Sequence, residues 1–305
     1  MSDWLPYPST PSVVGDLRVL RGLPGPPHGP DREILVHLPA GAATSGRRYP
    51  VLYLHDGQNL FDPAPSYRGE WGLDETLAAL AGEGIELIAV GIPNSGDGRY
   101  AEYTPYKGRG RWATGGHGRA YLRWVVDTVK PAVDGAWPTL HSREATGILG
   151  SSLGGLISLW AAVAHAETFG LVGAMSPVIT PGQNPIIGRV ARLRMPPACA
   201  YLDVGGHEAS DAPSPGLERR WSAAILREAR QLREALLVAG LREPETLRYV
   251  EEPDAIHHET DWARRLPGAL RFLFGEPRSA RPATDGPAAS SESARPRGSG
   301  QPDHP

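Results

Sequence analysis

The chain has 305 residues, 40% of them hydrophobic, which is enough for one substantial core. A formal net charge of −3 with no long basic run excludes the electrostatic footprint of a nucleic-acid binder. The one cysteine, Cys199, excludes an intramolecular disulfide, and its setting in Ala198-Cys199-Ala200-Tyr201-Leu202 reads as a small buried residue rather than a reactive thiol.

The first residues, Met1-Ser2-Asp3-Trp4-Leu5-Pro6, carry no basic segment followed by an apolar run. No stretch of about 18 apolar residues follows anywhere. The expectation is therefore a cytoplasmic protein without a signal peptide or membrane anchor. Residues 22–31 are too rich in Pro and Gly for a helix or central strand and predict a loop. Short runs rich in Val, Ile, Leu and Tyr then recur at 33–38, 51–55, 86–92, 145–149, 170–175, 199–205 and 246–251, and each predicts a strand. Helical spacing of apolar residues lies between many of them, over 70–82, 118–134, 216–239 and 259–274. The runs 51–55 and 85–92 are nearly continuous in apolar residues, as suits strands covered on both faces. Strands alternating with helices predict an α/β fold, with a mostly parallel central sheet and helices on both faces. Nothing interrupts this pattern, so residues 1–275 read as one domain, packed from about residue 10. From 276 to 305 the composition shifts to Pro, Gly, Ser, Ala and charge, which predicts a disordered tail.

Gly150-Ser151-Ser152-Leu153-Gly154 matches G-x-S-x-G. Alone it also fits a Gly/Ser-rich turn without chemistry. Its context argues otherwise: an apolar run, 145–149, precedes it, and a helix-like run, 156–163, follows. Strand, tight turn and helix are what a nucleophile elbow requires, with Ser152, not Ser151, at the centre.

A serine hydroxyl needs a base to take its proton, and in this arrangement the chain order is Ser, then Asp or Glu, then His. His165 falls in the helix after the elbow, His304 in the tail, and His207 would precede its own acid. His257 and His258 remain, between a late strand and the last helix, and His257 is favoured; the other reads as a surface loop histidine. The acid should follow the strand at 199–206, where Glu208 and Asp211 are both candidates. Asp203 lies earlier, inside the strand, and Asp254 is a fallback. The oxyanion of an acyl transfer needs backbone N–H donors. Leu153, just after the serine, should supply one; Gln58 or Gly57, after the strand at 51–55, should supply the other, with Gly57 allowing an unusual backbone angle. No H-E-x-x-H or comparable set is present, so neither metal nor organic cofactor is implied.

These pieces resemble the putative esterase family of α/β hydrolases, which includes enterochelin esterase-like, feruloyl and acetyl-xylan esterase-like, and S-formylglutathione hydrolase-like enzymes. The resemblance rests on residues 51–62, Gly91-Ile92-Pro93-Asn94 with Arg99 and Glu102-Tyr103-Thr104-Pro105, residues 150–156, Met175-Ser176-Pro177, the run from Leu202 through Glu208, and His257 with Trp262. It implies the α/β-hydrolase fold, Glu208 as the acid, and His257, five residues before Trp262, as the base. Asp254-Ala255-Ile256-His257 departs from the Gly-Gly-His that relatives often carry, so the loop into the base is stiffer here. The expectation is a carboxylic ester hydrolase of small-molecule esters working through an acyl-enzyme. An acyltransferase or thioesterase with the same triad, and a non-catalytic binding protein on a hydrolase scaffold, are the alternatives. Trp71, Tyr103, Tyr106 and Trp112 offer an aromatic wall or plain core packing, and Arg99, Lys107, Arg109 and Arg111 a basic cluster or a solvated loop.

Overall fold

A computed structural model describes residues 4–8, 10–27 and 29–275, the Arg111 side chain excepted; the predicted tail lies outside the described residues. The chain enters through β1 (Leu5–Pro6), β2 (Asp16–Leu23) and β3 (Arg32–Leu38), which pair antiparallel. The first two were not expected. In β2 the apolar residues are broken up by Arg18, Arg21 and Gly22 without a clean period of two, and its pairing shifts register between Leu20 and Leu23, so it carries a weak strand signal.

β4 (Val51–His55), α1 (Leu73–Gly82) and β5 (Ile88–Ile92) open the parallel part. The short helix α2 (Arg99–Tyr103) and then α3 (Gly118–Trp124) and α4 (Lys130–Asp134) follow. The spacing over 118–134 predicted one helix. Instead a π-turn, Val125–Val129, separates α3 from α4 just before Pro131. Proline lacks the N–H that would continue the ladder, and its ring crowds the carbonyl one turn back, so a wider turn fits there.

Next come β6 (Thr146–Ser151), α5 (Leu153–Ala164), β7 (Leu171–Met175), the short unpredicted helix α6 (Pro185–Val190) and β8 (Cys199–His207). The chain then runs through α7 (Pro215–Val238), β9 (Leu247–Ile256) and α8 (Glu259–Phe274). Among the described residues the sheet order is β1-β2-β3-β5-β4-β6-β7-β8-β9. The strands from β5 to β9 are all parallel, as predicted.

Alternation along β4 shows how the sheet divides the core. Val51 and Tyr53 join the apolar cluster beneath α3, α5, α6 and α7, while Leu52 and Leu54 join the cluster beneath α1 and α8. Both faces of the central strands are covered, which is why they read as continuous apolar runs. This is the α/β-hydrolase architecture: a mostly parallel sheet between two helical layers. Its parallel strands all point their carboxyl ends the same way, so the loops after β4, β6, β7, β8 and β9 converge on one edge.

Candidate active site

Ser152 stands between β6 and α5 with φ 58° and ψ −122°, a left-handed conformation that is unusual for a residue with a side chain. Such strain costs about 1–3 kcal/mol and persists only where the surroundings enforce it. Here the backbone enforces it. Ser152 N donates to Met175 O at 2.9 Å, and Ser152 O accepts from Leu156 N at 3.1 Å. Gly150 permits the sharp reversal: a Cβ there would lie 2.8 Å from the carbonyl carbon of Gly154.

His257 follows directly on β9, which runs beyond its predicted end to Ile256. Its Nε2 lies 2.9 Å from Ser152 Oγ, and its Nδ1 lies 2.5 Å from Glu208 Oε2. A carboxylate only accepts, so Nδ1–H donates to Glu208, and Nε2 is left to accept the Ser152 hydroxyl proton. Glu208 comes from the loop after β8 and is buried. Its Oε1 accepts from Gly205 N at 2.5 Å and from Ser176 Oγ at 2.6 Å. Burial alone would raise this carboxyl; the hydrogen bonds and charge of His257, with those from Ser176 and Gly205, outweigh it and hold the carboxyl below its ordinary range.

The rival residues are elsewhere. Asp211 and Asp254 are exposed. His207 is exposed and pairs with Glu218, and His165 lies just past the end of α5 rather than within it. His258 is the N-cap of α8, its Nδ1 accepting from Thr260 N at 3.3 Å.

The loop after β4 differs from expectation in one respect. The left-handed residue there is Asp56, with φ 57°, not Gly57. Asp56 is held by a two-pronged Arg99 contact, 2.7 Å at each oxygen, and by Asn94 Nδ2 at 2.6 Å. Burial would raise its carboxyl, but Arg99 outweighs this and holds it low. Gly57 is glycine for another reason: a Cβ would sit 2.6 Å from the backbone of Gly91 and Ile92 in β5. Gln58 borders the same cleft as Ser152. Leu153 is the first residue of α5, where the amides of a helix have no intrahelical acceptor.

The Putative esterase family model matches residues 28–273. The chain belongs to this family. Membership makes it a carboxylic ester hydrolase. The esterase is 25% identical over 253 residues to the uncharacterized protein YbbA of Bacillus subtilis (strain 168), covering 82% of this chain and 95% of that one. It superposes on the siderophore hydrolase EstA of Aspergillus nidulans with a TM-score of 0.67 at 22% identity, covering 89% of this chain and 98% of the other. An IroE-like serine hydrolase from Shewanella oneidensis gives 0.63 at 21% identity, with 85% and 80% covered. At these identities the two structures share the fold.

Behind Glu208, the esterase carries a buried network of side chains whose connections the sequence did not reveal. Ser176 has φ 41° and no exposed surface. Its N donates to Asp203 Oδ1 at 2.9 Å, and its Oγ, besides donating to Glu208, accepts from Trp262 Nε1 and Arg265 Nη2 at 3.1 Å each. Asp203 also accepts from Tyr201 OH and lies 3.4 Å from Arg265 Nε. Burial raises the Asp203 carboxyl to about 6 against the pull of Arg265. The Trp262 ring stands edge-on to His257, with centroids 4.8 Å apart. The motif Met175-Ser176-Pro177 was visible; what its serine holds was not.

The cleft over Ser152 and His257 has a volume of about 800 Å³ and is walled by residues of the loops at 56–68 and 93–99 and the start of α8. Trp71 and Tyr103 are core residues, Trp71 against Trp262 and Tyr103 against His55 and Tyr121. Tyr106 packs on Trp160, and Trp112 on Tyr100. Arg99 is committed to Asp56, while Lys107 and Arg109 are exposed. Among the described residues no helix is long and apolar enough to cross a membrane.

Proposed function

We propose that this esterase cleaves small-molecule carboxylic esters through an acyl-enzyme formed on Ser152. The observation that carries the proposal is the unbroken chain of hydrogen bonds from Ser152 Oγ through both nitrogens of His257 to Glu208. Ser152 Oγ attacks the ester carbonyl as His257 Nε2 takes its proton. Glu208 holds the imidazole in the tautomer that can accept that proton, and stabilises the imidazolium once it forms. The tetrahedral oxyanion is met by the N–H of Leu153 and by that of Gln58 or Gly57. His257 returns the proton to the leaving alcohol, and a water activated by the same base then releases the acid. Neither metal nor organic cofactor takes part in any step.

Ser152→Ala tests this reading. It should lower hydrolysis of p-nitrophenyl acetate by on the order of 10³-fold or more, and it should abolish labelling by a fluorophosphonate probe. Circular dichroism should remain that of the parent. Turnover at the parental rate in this variant would overturn the assignment.

A further inference from the structure

The mechanism leaves one group at the cleft without a role. Glu259, the first residue of α8, lines the same cleft as Ser152, His257 and Trp262, yet the residue is only 6% exposed. Its Oε2 is buried without a hydrogen-bond partner. The loop carrying Pro65, Ser66, Tyr67 and Arg68 completes that wall and passes over Glu259, since a Cβ on Gly69 would stand 3.9 Å from Glu259 Cβ. No salt bridge reaches Glu259 among the described residues. Arg99, the nearby cation whose field it shares, already spends its guanidinium on both oxygens of Asp56. The amino terminus of α8 favours a negative charge at this position, but it supplies no donor to Oε2. A buried carboxylate without a cationic partner is costly to keep, and this residue lines a substrate cleft.

We propose that Glu259 is a substrate-recognition residue that accepts a hydrogen bond from a cationic ammonium group carried by the ester. This rests on the cleft over Ser152 being the substrate site. Glu259 is the acidic group in that wall that is both buried and free of a cationic partner; Asp56 is paired with Arg99, and Asp97 is exposed. A bound ammonium neutralises the charge of this carboxylate. An ester with a carboxylate in the same place meets repulsion instead, so one residue both attracts and excludes.

Competitive inhibition reads this without knowing which side of the ester carries the amine. Hexylammonium and heptan-1-ol, close in length, are compared as inhibitors of p-nitrophenyl acetate hydrolysis. The wild type should bind hexylammonium at least about tenfold more tightly than the alcohol. Glu259→Gln keeps the shape, removes the charge and should erase that preference, while the inhibition constant for heptan-1-ol stays put and so certifies an intact cleft. Asp97→Asn, at an exposed carboxylate of the same cleft, should keep the preference. An equal preference in wild type and Glu259→Gln, or its loss in Asp97→Asn alone, would overturn the proposal. If the wild type does not turn over p-nitrophenyl acetate, the esterase reading itself is at fault, and calorimetric titration of hexylammonium into wild type and Glu259→Gln then decides the Glu259 site separately.

Discussion

The two halves of the candidate active site are held by different means. At the elbow between β6 and α5 the backbone does the holding: Ser152 is fixed by main-chain hydrogen bonds and by the contact that Gly150 makes with Gly154. At the ends of β8 and β9 side chains do it: Glu208 is fixed by Ser176, and Ser176 by Trp262, Arg265 and Asp203. Main-chain geometry tolerates no gradual change, because a glycine either is or is not there. A side-chain network can be weakened one bond at a time. Substitutions that weaken the network around Glu208 should therefore produce graded effects, and those that alter the backbone of the elbow should damage fold and rate together.

The largest expected effect is at the junction of the network with the base. Glu208→Gln preserves volume, but its amide can face His257 with N–H₂, which favours the tautomer with the proton on Nε2. That tautomer cannot accept from Ser152. The rate constant kcat should fall on the order of 10³- to 10⁴-fold while the protein stays folded. Stopped assays with p-nitrophenyl acetate check the rate, and thermal melting checks the fold.

Gly150→Ala attacks the other half. The new Cβ would meet three backbone atoms of Gly154 at 2.8–3.0 Å, and none of them can swing aside as a side chain would. The elbow must shift, so a loss of stability of about 1–3 kcal/mol and a roughly 100-fold fall in kcat are expected together. A variant with normal stability and a large rate loss would show the elbow to be less rigid than its geometry implies.

The same division explains what could be read from sequence. A glycine pattern around a serine is a backbone requirement, so it leaves a fixed spacing in the chain, and the strand and helix flanking it were legible as periodicity. The parallel strands were legible because burial on both faces makes them continuously apolar. β2 was not, since Arg18, Arg21 and Gly22 interrupt its apolar residues and its pairing shifts register. Candidates for an acid and a base were legible as a chain order, which favoured His257 over His258 and left Glu208 open against Asp211 until the family resemblance was added. Arg265 was not legible at all. A buried arginine inside the amphipathic α8 reads as one more charge on a solvated face, and only the packing of α8 against β7 and β8 turns it toward Asp203 and Ser176. Asp56 was passed over because left-handed backbone is expected of glycine, and Gly57 stands next to it.

Ser176→Ala is the graded test of the network. It removes a donor to the ionised form of Glu208, so the Glu208 carboxyl should rise from its lowered value toward the ordinary range. Glu208 orients His257 only when ionised. A raised carboxyl loses that ionisation at a higher pH, so the acid limb of the kcat/KM profile should move upward, with a plateau lowered roughly tenfold. The stability linkage has the same sign. The lowered carboxyl adds stability above its unfolded pKa that disappears as pH falls through the folded value, and the variant should have less of it to lose. A lowered plateau with an unmoved limb would mean that Ser176 only fills space.

The smallest effect is expected at His258, and it separates two adjacent histidines by what each side chain holds. His257 faces Ser152, while His258 caps α8 by accepting from Thr260 N at 3.3 Å, a long bond at an exposed helix end. Losing a cap of this quality should cost about 0.5 kcal/mol, or a fall of 1–2 °C in Tm. The kcat should stay within about twofold of the parent, because the backbone that places His257 is fixed from both sides: Ile256 N donates to Asp261 Oδ2 at 2.8 Å, and His258 N donates to Ile256 O at 3.0 Å. Neither bond uses the His258 ring. If His258→Ala instead lowers kcat by a factor of ten or more, the end of β9 depends on the α8 cap, and the base is held by a longer reach of side chains than the Glu208 network alone.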